Sequence, residues 1–452
     1  MLTTNIIAAP RQHFGNFVIL LLTGVLLTGL ICMTGCGKGS DPRDATESDT
    51  TKQKTIETWV HSGRESERRT IRQQVMRFNQ RHDKLKVKLT VLPEGSYNSQ
   101  VQAAALAGEL PDLLEFDGPF IYNYVWQGHL RPIGDLLSKE LMDNLLNSII
   151  EQGTYRGKFY SVGMFDSGLA LYARRSKLEE VEARIPQHPK DAWSVAEFEK
   201  ILAALAENDD DGQVLDLKLN YEGEWFTYAF SPALQSGGAG LIDRTDYETA
   251  SGVLNSPEAG DVMNYFQDWI REDNYVDPNV DDNAFVGGRV ALSWVGHWEY
   301  PRYSKAFGDD LVLVPLPDFG AGSRTGQGSW NWGITKRCQD PAAAARFLEF
   351  LLRDKQVLEM TNANGAVPAT DSAIAKSDLY AEGSPLRLFV VQLREDYAVP
   401  RPATPAYPVI TSTFQEAFRA IRNGTEVQQA LDKAVQQINQ DIEDNQGYPP
   451  VE

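Results

Sequence analysis

Cysteine is scarce in this chain, with only Cys32, Cys36 and Cys338 among 452 residues. Two of the three lie at the edge of an N-terminal apolar stretch. Removing that stretch leaves no intrachain disulfide framework. Basic charge is also in deficit: 43 Lys and Arg stand against 62 Asp and Glu, a net charge of -19. Such a chain repels phosphate backbones, which argues against a nucleic-acid partner. The six histidines include no pair at helical metal-ligand spacing and no HExxH. No GxSxG nucleophile elbow occurs. The glycines between Gly320 and Gly333 match neither a phosphate-binding loop nor a dinucleotide fingerprint. Asp209-Asp210-Asp211-Gly212 would place Lys218 where a calcium loop needs a bidentate carboxylate, so it reads as a solvated acidic loop. Cys338 has no recognisable partner and reads as an approach to a helix. No cofactor and no metal are expected.

What is present begins with the compartment signal. A polar segment carrying Arg11 precedes a nearly unbroken apolar run from Phe17 to Met33, then Met33-Thr34-Gly35-Cys36. Basic start, apolar middle and small residues at the cut are the layout of a secretory signal. The run is nearly long enough to span a bilayer, so an uncleaved anchor is the competing reading. The four residues ending in Cys36 resemble the bacterial lipobox, in which the cysteine is lipidated and becomes the first mature residue. Cys32 fits less well, because bulky Ile31 precedes it. Several acyl chains give stable anchoring, whereas one is marginal. Residues 37–54 lack any large apolar side chain and are expected to form a disordered tether.

With 42% hydrophobic residues the rest of the chain can bury a large core, and its length favours two domains. Strand and helix alternate from Thr55: a short β run over Ile56–Val60, a helix over Glu65–Arg81, an alternating strand at Val87, Leu89 and Val91, a helix over Tyr97–Leu106, and a strand over Pro111–Phe116. That order predicts a right-handed parallel unit. Ser256-Pro257 and Asp340-Pro341 read as helix starts, and Thr425 with Gln428 as a capping box. The stripes behind these starts read as core faces.

Seven of the nine tryptophans fall in loop-like contexts: Trp59, Trp126, Trp225, Trp294, Trp298, Trp330 and Trp332. Indole and phenol rings stack on the C–H faces of sugars, while carboxylates and amides satisfy the hydroxyls. Asp117, Asp166, Glu222, Glu224 and Asn331 lie close to such rings or to predicted strand ends. Any single tryptophan could equally be core packing.

Ordered segments then carry a family resemblance. They include Thr58-Trp59, Ala103 to Asp112, Phe116-Asp117-Gly118, Gly157 to Tyr160, Gly287 to Leu292 leading to Gly296-His297-Trp298, Trp332-Gly333-Ile334 before Asp340-Pro341, and Arg401-Pro402 before Tyr407. Over essentially its whole mature length the chain resembles the extracellular solute-binding proteins of the maltose/multiple-sugar class, components of ABC importers. The resemblance implies an α/β, two-lobed periplasmic-binding-protein-like fold, with hinged lobes and multiple chain crossovers. One lobe would take residues 55–163 and 310–360, the other 164–309 and 361–452. A sugar would bind between them. The ligand-binding positions it implies are Arg64, Glu65, Asp117, Asp166, Glu222, Trp225, Trp298, Trp330, Arg401 and Tyr407, with Cys36 as the lipidation site. The implied partners are a sugar, the transmembrane subunits of an importer and, through the lipid, the membrane; the protein would act as a monomer. His297 departs from the family pattern and leaves the shape of its loop open. A secreted carbohydrate-active enzyme, a binder of a non-sugar solute and a sensory co-receptor remain alternatives. The first would need two carboxylates at a set separation, and a phosphate ligand would need several cleft cations.

Overall fold

The computed structural model describes residues 53–380, 383–384 and 386–450. The expected signal peptide, Cys36 and the expected tether up to residue 52 lie outside them. Lys54, expected in the tether, already pairs with Leu85, so the first strand runs Lys54–His61.

Two sheets organise the chain. The first has the order Leu85–Leu92, Lys54–His61, Leu113–Asp117, Trp330–Ile334, Ser161–Gly163. Its three N-terminal strands are parallel, as the strand–helix–strand order predicts. The two later strands join antiparallel. The helix Glu65–Arg81 has Ile71, Val75 and Phe78 on its buried face, the stripe expected from their spacing. The second sheet has the order Leu311–Val314, Leu169–Arg174, Leu292–Gly296, Leu215–Asp216. Leu169–Leu171 and Leu292–Trp294 are fully covered, as strands packed on both faces are.

The two sheets form the cores of two lobes. Phe165–Asp166, paired with Val367–Pro368, lies where the chain passes between them. The expected lobe boundaries need two corrections. Leu311–Val314, assigned to the first lobe, pairs with Leu169–Arg174 in the second sheet, so the chain returns to the first sheet only between Val314 and Trp330. Residue 360 falls inside the helix Asp354–Asn364, which packs on Glu65–Arg81 and therefore stays whole in the first lobe.

Ser256 and Asp340 cap their helices through Ala259 and Ala343, as expected. The last helix, Val427–Asp444, is capped instead by Glu426, which accepts from the amides of Gln428 and Gln429. A glutamate reaches both free amides and so displaces the Thr425 capping box. Trp294 and Trp332, read as loop-like, are strand residues in the core.

Candidate functional site

The C-terminal ends of the first-lobe strands face the second lobe across a cleft of about 510 Å³, a size that suits a small ligand. Of the ten expected ligand positions, Arg64, Asp117, Glu222, Trp225, Trp298, Trp330 and Arg401 line it.

Trp298 follows the strand Leu292–Gly296 in a short 3-10 turn. It stands edge-on to Trp225, with centroids 5.9 Å apart, and tilts over Tyr228 at 6.2 Å. A Cβ on Gly296 would lie 2.1 Å from the Trp298 ring, so only glycine lets the indole fold back over its own strand. Trp330 forms part of the other wall. It begins the strand Trp330–Ile334, not the loop expected, because it pairs with Asp117. His61 stacks flat on it at 3.7 Å, and Tyr97 meets its edge at 5.4 Å. His61 also bonds Glu115 at 2.7 Å. Burial opposes a charge on this imidazole, but the Glu115 carboxylate outweighs it, and the pKa rises to about 9. His61 is therefore an imidazolium resting on an indole face, a cation–π contact.

Arg401 anchors the floor. It donates to both oxygens of Asp117, at 2.5 and 2.9 Å, and to Glu224 at 3.4 Å. This is the planar two-point geometry that guanidinium favours. Gly328, at φ +135°, keeps the backbone clear, since a Cβ there would lie 2.8 Å from the guanidinium. Glu224 also accepts from Thr411 at 3.0 Å and from the Tyr407 hydroxyl. Burial and the neighbouring Asp117 charge push the Glu224 pKa up to about 7.

Arg64 caps the first helix and reaches across to the second lobe. It bonds the Tyr221 hydroxyl at 2.7 Å, Asp282 at 3.3 Å, and Glu299. Asp282 is in turn tied to fully buried Lys218 at 3.0 Å.

Three expected ligand residues do not line the cleft. Glu65 is an exposed first-turn residue, placed where a carboxylate complements the helix dipole. Asp166 is fully buried and accepts from the amide of Ser167 at 2.7 Å, the amide of Gly328 at 3.4 Å and the Gln152 side chain at 3.3 Å. It fastens the crossing segment from within. Tyr407 lies behind the floor, edge-on to Phe120.

Other wall residues escaped the sequence reading, among them His61, Glu67, Ser167, Tyr221 and Tyr228; His297, noted only as a departure from the family pattern, also lines the cleft. His297 is buried, and burial lowers its pKa to about 4. The ring is therefore neutral. Nδ1 donates to the Asn364 carbonyl at 2.8 Å, which leaves Nε2 to accept from Ser167 at 3.1 Å. Ser167 can then only accept from the Tyr228 hydroxyl, at 2.7 Å. The departure at position 297 thus serves to join the Trp298 turn to both neighbouring segments. Among the described residues no group of three or more His, Cys, Asp or Glu could hold a metal. Cys338 is buried, and burial pushes its thiol up to about 11, far from a nucleophile.

Two α/β lobes around a cleft walled by aromatic rings and carboxylates define a solute-binding protein. The bacterial extracellular solute-binding protein family matches residues 73–384, and the chain belongs to that family. The maltodextrin-binding protein MdxE of Bacillus subtilis (strain 168) is 23% identical over 351 residues, 75% of this chain and 79% of the relative. An uncharacterized lipoprotein in the oleD 5' region of Streptomyces antibioticus is 22% identical over 315 residues, 67% of this chain and 68% of the relative. Among solved structures, the GacH receptor of Streptomyces glaucescens superposes with a TM-score of 0.72 at 21% identity, covering 87% of this chain and 99% of the receptor. The protein is thus an extracytoplasmic, two-lobed solute-binding protein.

Proposed function

We propose that this protein captures a sugar or oligosaccharide between its lobes and delivers it, chemically unchanged, to an ABC importer. The observation that carries this reading is the pair of aromatic walls: Trp298 with Trp225 and Tyr228 from one lobe, Trp330 from the other, and carboxylates between them. Indole faces match the C–H faces of pyranose rings, and carboxylates accept from ring hydroxyls. The relatedness to a maltodextrin-binding protein agrees with this chemistry. Glycoside hydrolysis would need a free pair of carboxyl groups. Asp166 is walled in, Asp117 is clamped by Arg401, and Glu224 is held by Tyr407 and Thr411. These three carboxylates therefore offer no free pair for that chemistry. Anchoring through a lipid on Cys36, outside the cytoplasmic membrane, and action as a monomer complete the proposal.

The test is calorimetry against mono-, di- and oligosaccharides, with chromatography of the recovered ligand. Saturable binding of an intact saccharide is expected. Ligand at 100 times its Kd should stabilise the fold by about 2.7 kcal/mol through mass action. Release of shorter sugars would refute the transport reading. Fatty-acid labelling that persists in Cys36→Ser would refute the anchor.

A further inference from the structure

The charges of the cleft wall are unequally matched. Each of its three cations already has a carboxylate: His61 bonds Glu115, Arg401 bonds Asp117, and Arg64 bonds Asp282 and Glu299. Glu94 and Glu222 line the same cleft, one from each lobe. Among the described residues neither carboxylate receives a hydrogen bond or a salt bridge. Glu222 reaches across the mouth to the turn that carries Glu94. A Glu222 oxygen lies 3.6 Å from where a Cβ on Gly95 would stand, one residue from Glu94. His61, the cation nearest this turn, already bonds Glu115 and lies flat on Trp330.

Two further unpartnered polar groups lie in the same wall, one an amide that can accept and one a hydroxyl that can accept or donate. The buried end of the Asn98 amide and the Ser329 hydroxyl, both on residues lining this cleft, have no partner. Ser329 is only 6% exposed, so water has little access to it. Closing the lobes therefore brings unpaired acceptors and like charge together at the mouth, while each cation of the wall already bonds a carboxylate. A ligand hydroxyl offers one donor and no charge. An ammonium offers three donors, no acceptor and a positive charge.

We propose that the cleft selects saccharides bearing a protonated amine, held at the mouth between Glu94 and Glu222 while the sugar rings lie against Trp298. This rests on the saccharide-binding reading above. It also disfavours phosphorylated sugars and uronates, because each cation of the wall is already paired with a carboxylate.

The test is calorimetry at pH 6 with matched pairs: glucosamine against glucose, galactosamine against galactose, and the glucosamine disaccharide against its N,N'-diacetyl form and against cellobiose. At least one amine should bind tenfold or more tightly than its uncharged counterpart. Glu222→Gln and Glu94→Gln should each erase most of that preference, costing the amine at least fivefold more affinity than its uncharged counterpart, while leaving the melting temperature nearly unchanged. Uncharged sugars bound as tightly as every amine, or an amine preference unmoved by both substitutions, would overturn the proposal and leave saccharide binding standing. Binding of uncharged maltodextrins with no amine bound would do the same. If no saccharide of either kind binds, both readings fall.

Discussion

The Arg64 guanidinium of one lobe donates to the Tyr221 hydroxyl of the other at 2.7 Å. The same side chain meets Glu299, which is almost fully buried, and Asp282, the outer end of an ion ladder rooted on buried Lys218 and Asp216. These bonds exist only while the lobes are together. They give the closed arrangement an energy of its own, separate from any ligand contact.

Arg64→Ala should therefore weaken ligand binding by about 1–2 kcal/mol, discounted because the side chain is 38% exposed. The melting temperature should stay nearly unchanged, since each lobe keeps its own core. Small-angle scattering of the unliganded variant should show a larger radius of gyration than the wild type. An unchanged radius together with an unchanged Kd would remove Arg64 from closure.

Arg401 is the opposite case. It is buried and neutralises Asp117 and Glu224 together. Removing one partner of a buried ion pair leaves uncompensated charge, at about 3–5 kcal/mol. Arg401→Ala should lose that much in urea unfolding at pH 7 and recover part of it at pH 5, where Glu224, its pKa already raised to about 7, takes up a proton. A loss below about 1 kcal/mol would show that the floor does not depend on this cation.

His61 gives the pH dependence a sign. Its folded pKa is raised from 6.5 to about 9. A raised pKa means that protonation favours the folded state, so the contribution is complete below pH 6.5 and disappears as pH rises through 9. Stability should fall by on the order of 3 kcal/mol across that window. His61→Gln should flatten the fall; an equally steep fall in the variant would assign it to other groups.

Asp166 shows how a correct address can carry the wrong role. Its place beside the lobe crossing was legible in the sequence, and a carboxylate near a crossing suggests a ligand contact. The fold turns it inward, onto backbone amides of Ser167 and Gly328. Asp166→Asn places an amide group where only acceptors are wanted, and should cost about 1–3 kcal/mol of stability. Full stability with weakened binding would restore the ligand role.

The periodic elements were readable because their energetics are local. Glu65–Arg81 shows its buried face as an apolar stripe, and the caps at Ser256 and Asp340 need only side chains a few residues apart. Residues that meet from distant segments were not readable in the same way. His61 is joined to Glu115 and Trp330, and Ser167 to Tyr228 and His297, only by the fold. Trp294 and Trp298 are four positions apart, yet one fills the core and the other lines the cleft. The strand Leu292–Gly296 ends between them, and local sequence does not mark that end. Leu311–Val314 was misplaced for a similar reason, since its apolar run fits either sheet and only pairing with Leu169–Arg174 decides.

Above all, a saccharide should sit between the lobes against Trp298. A crystal structure of the protein with the tightest-binding saccharide of the calorimetric panel tests this most directly. The predicted result is a sugar ring packed on the Trp298 indole, with polar contacts from both lobes and Asp117 still held by Arg401. A saccharide bound outside the cleft, or one in the cleft that leaves Trp298 untouched and buried against its neighbours, would contradict it.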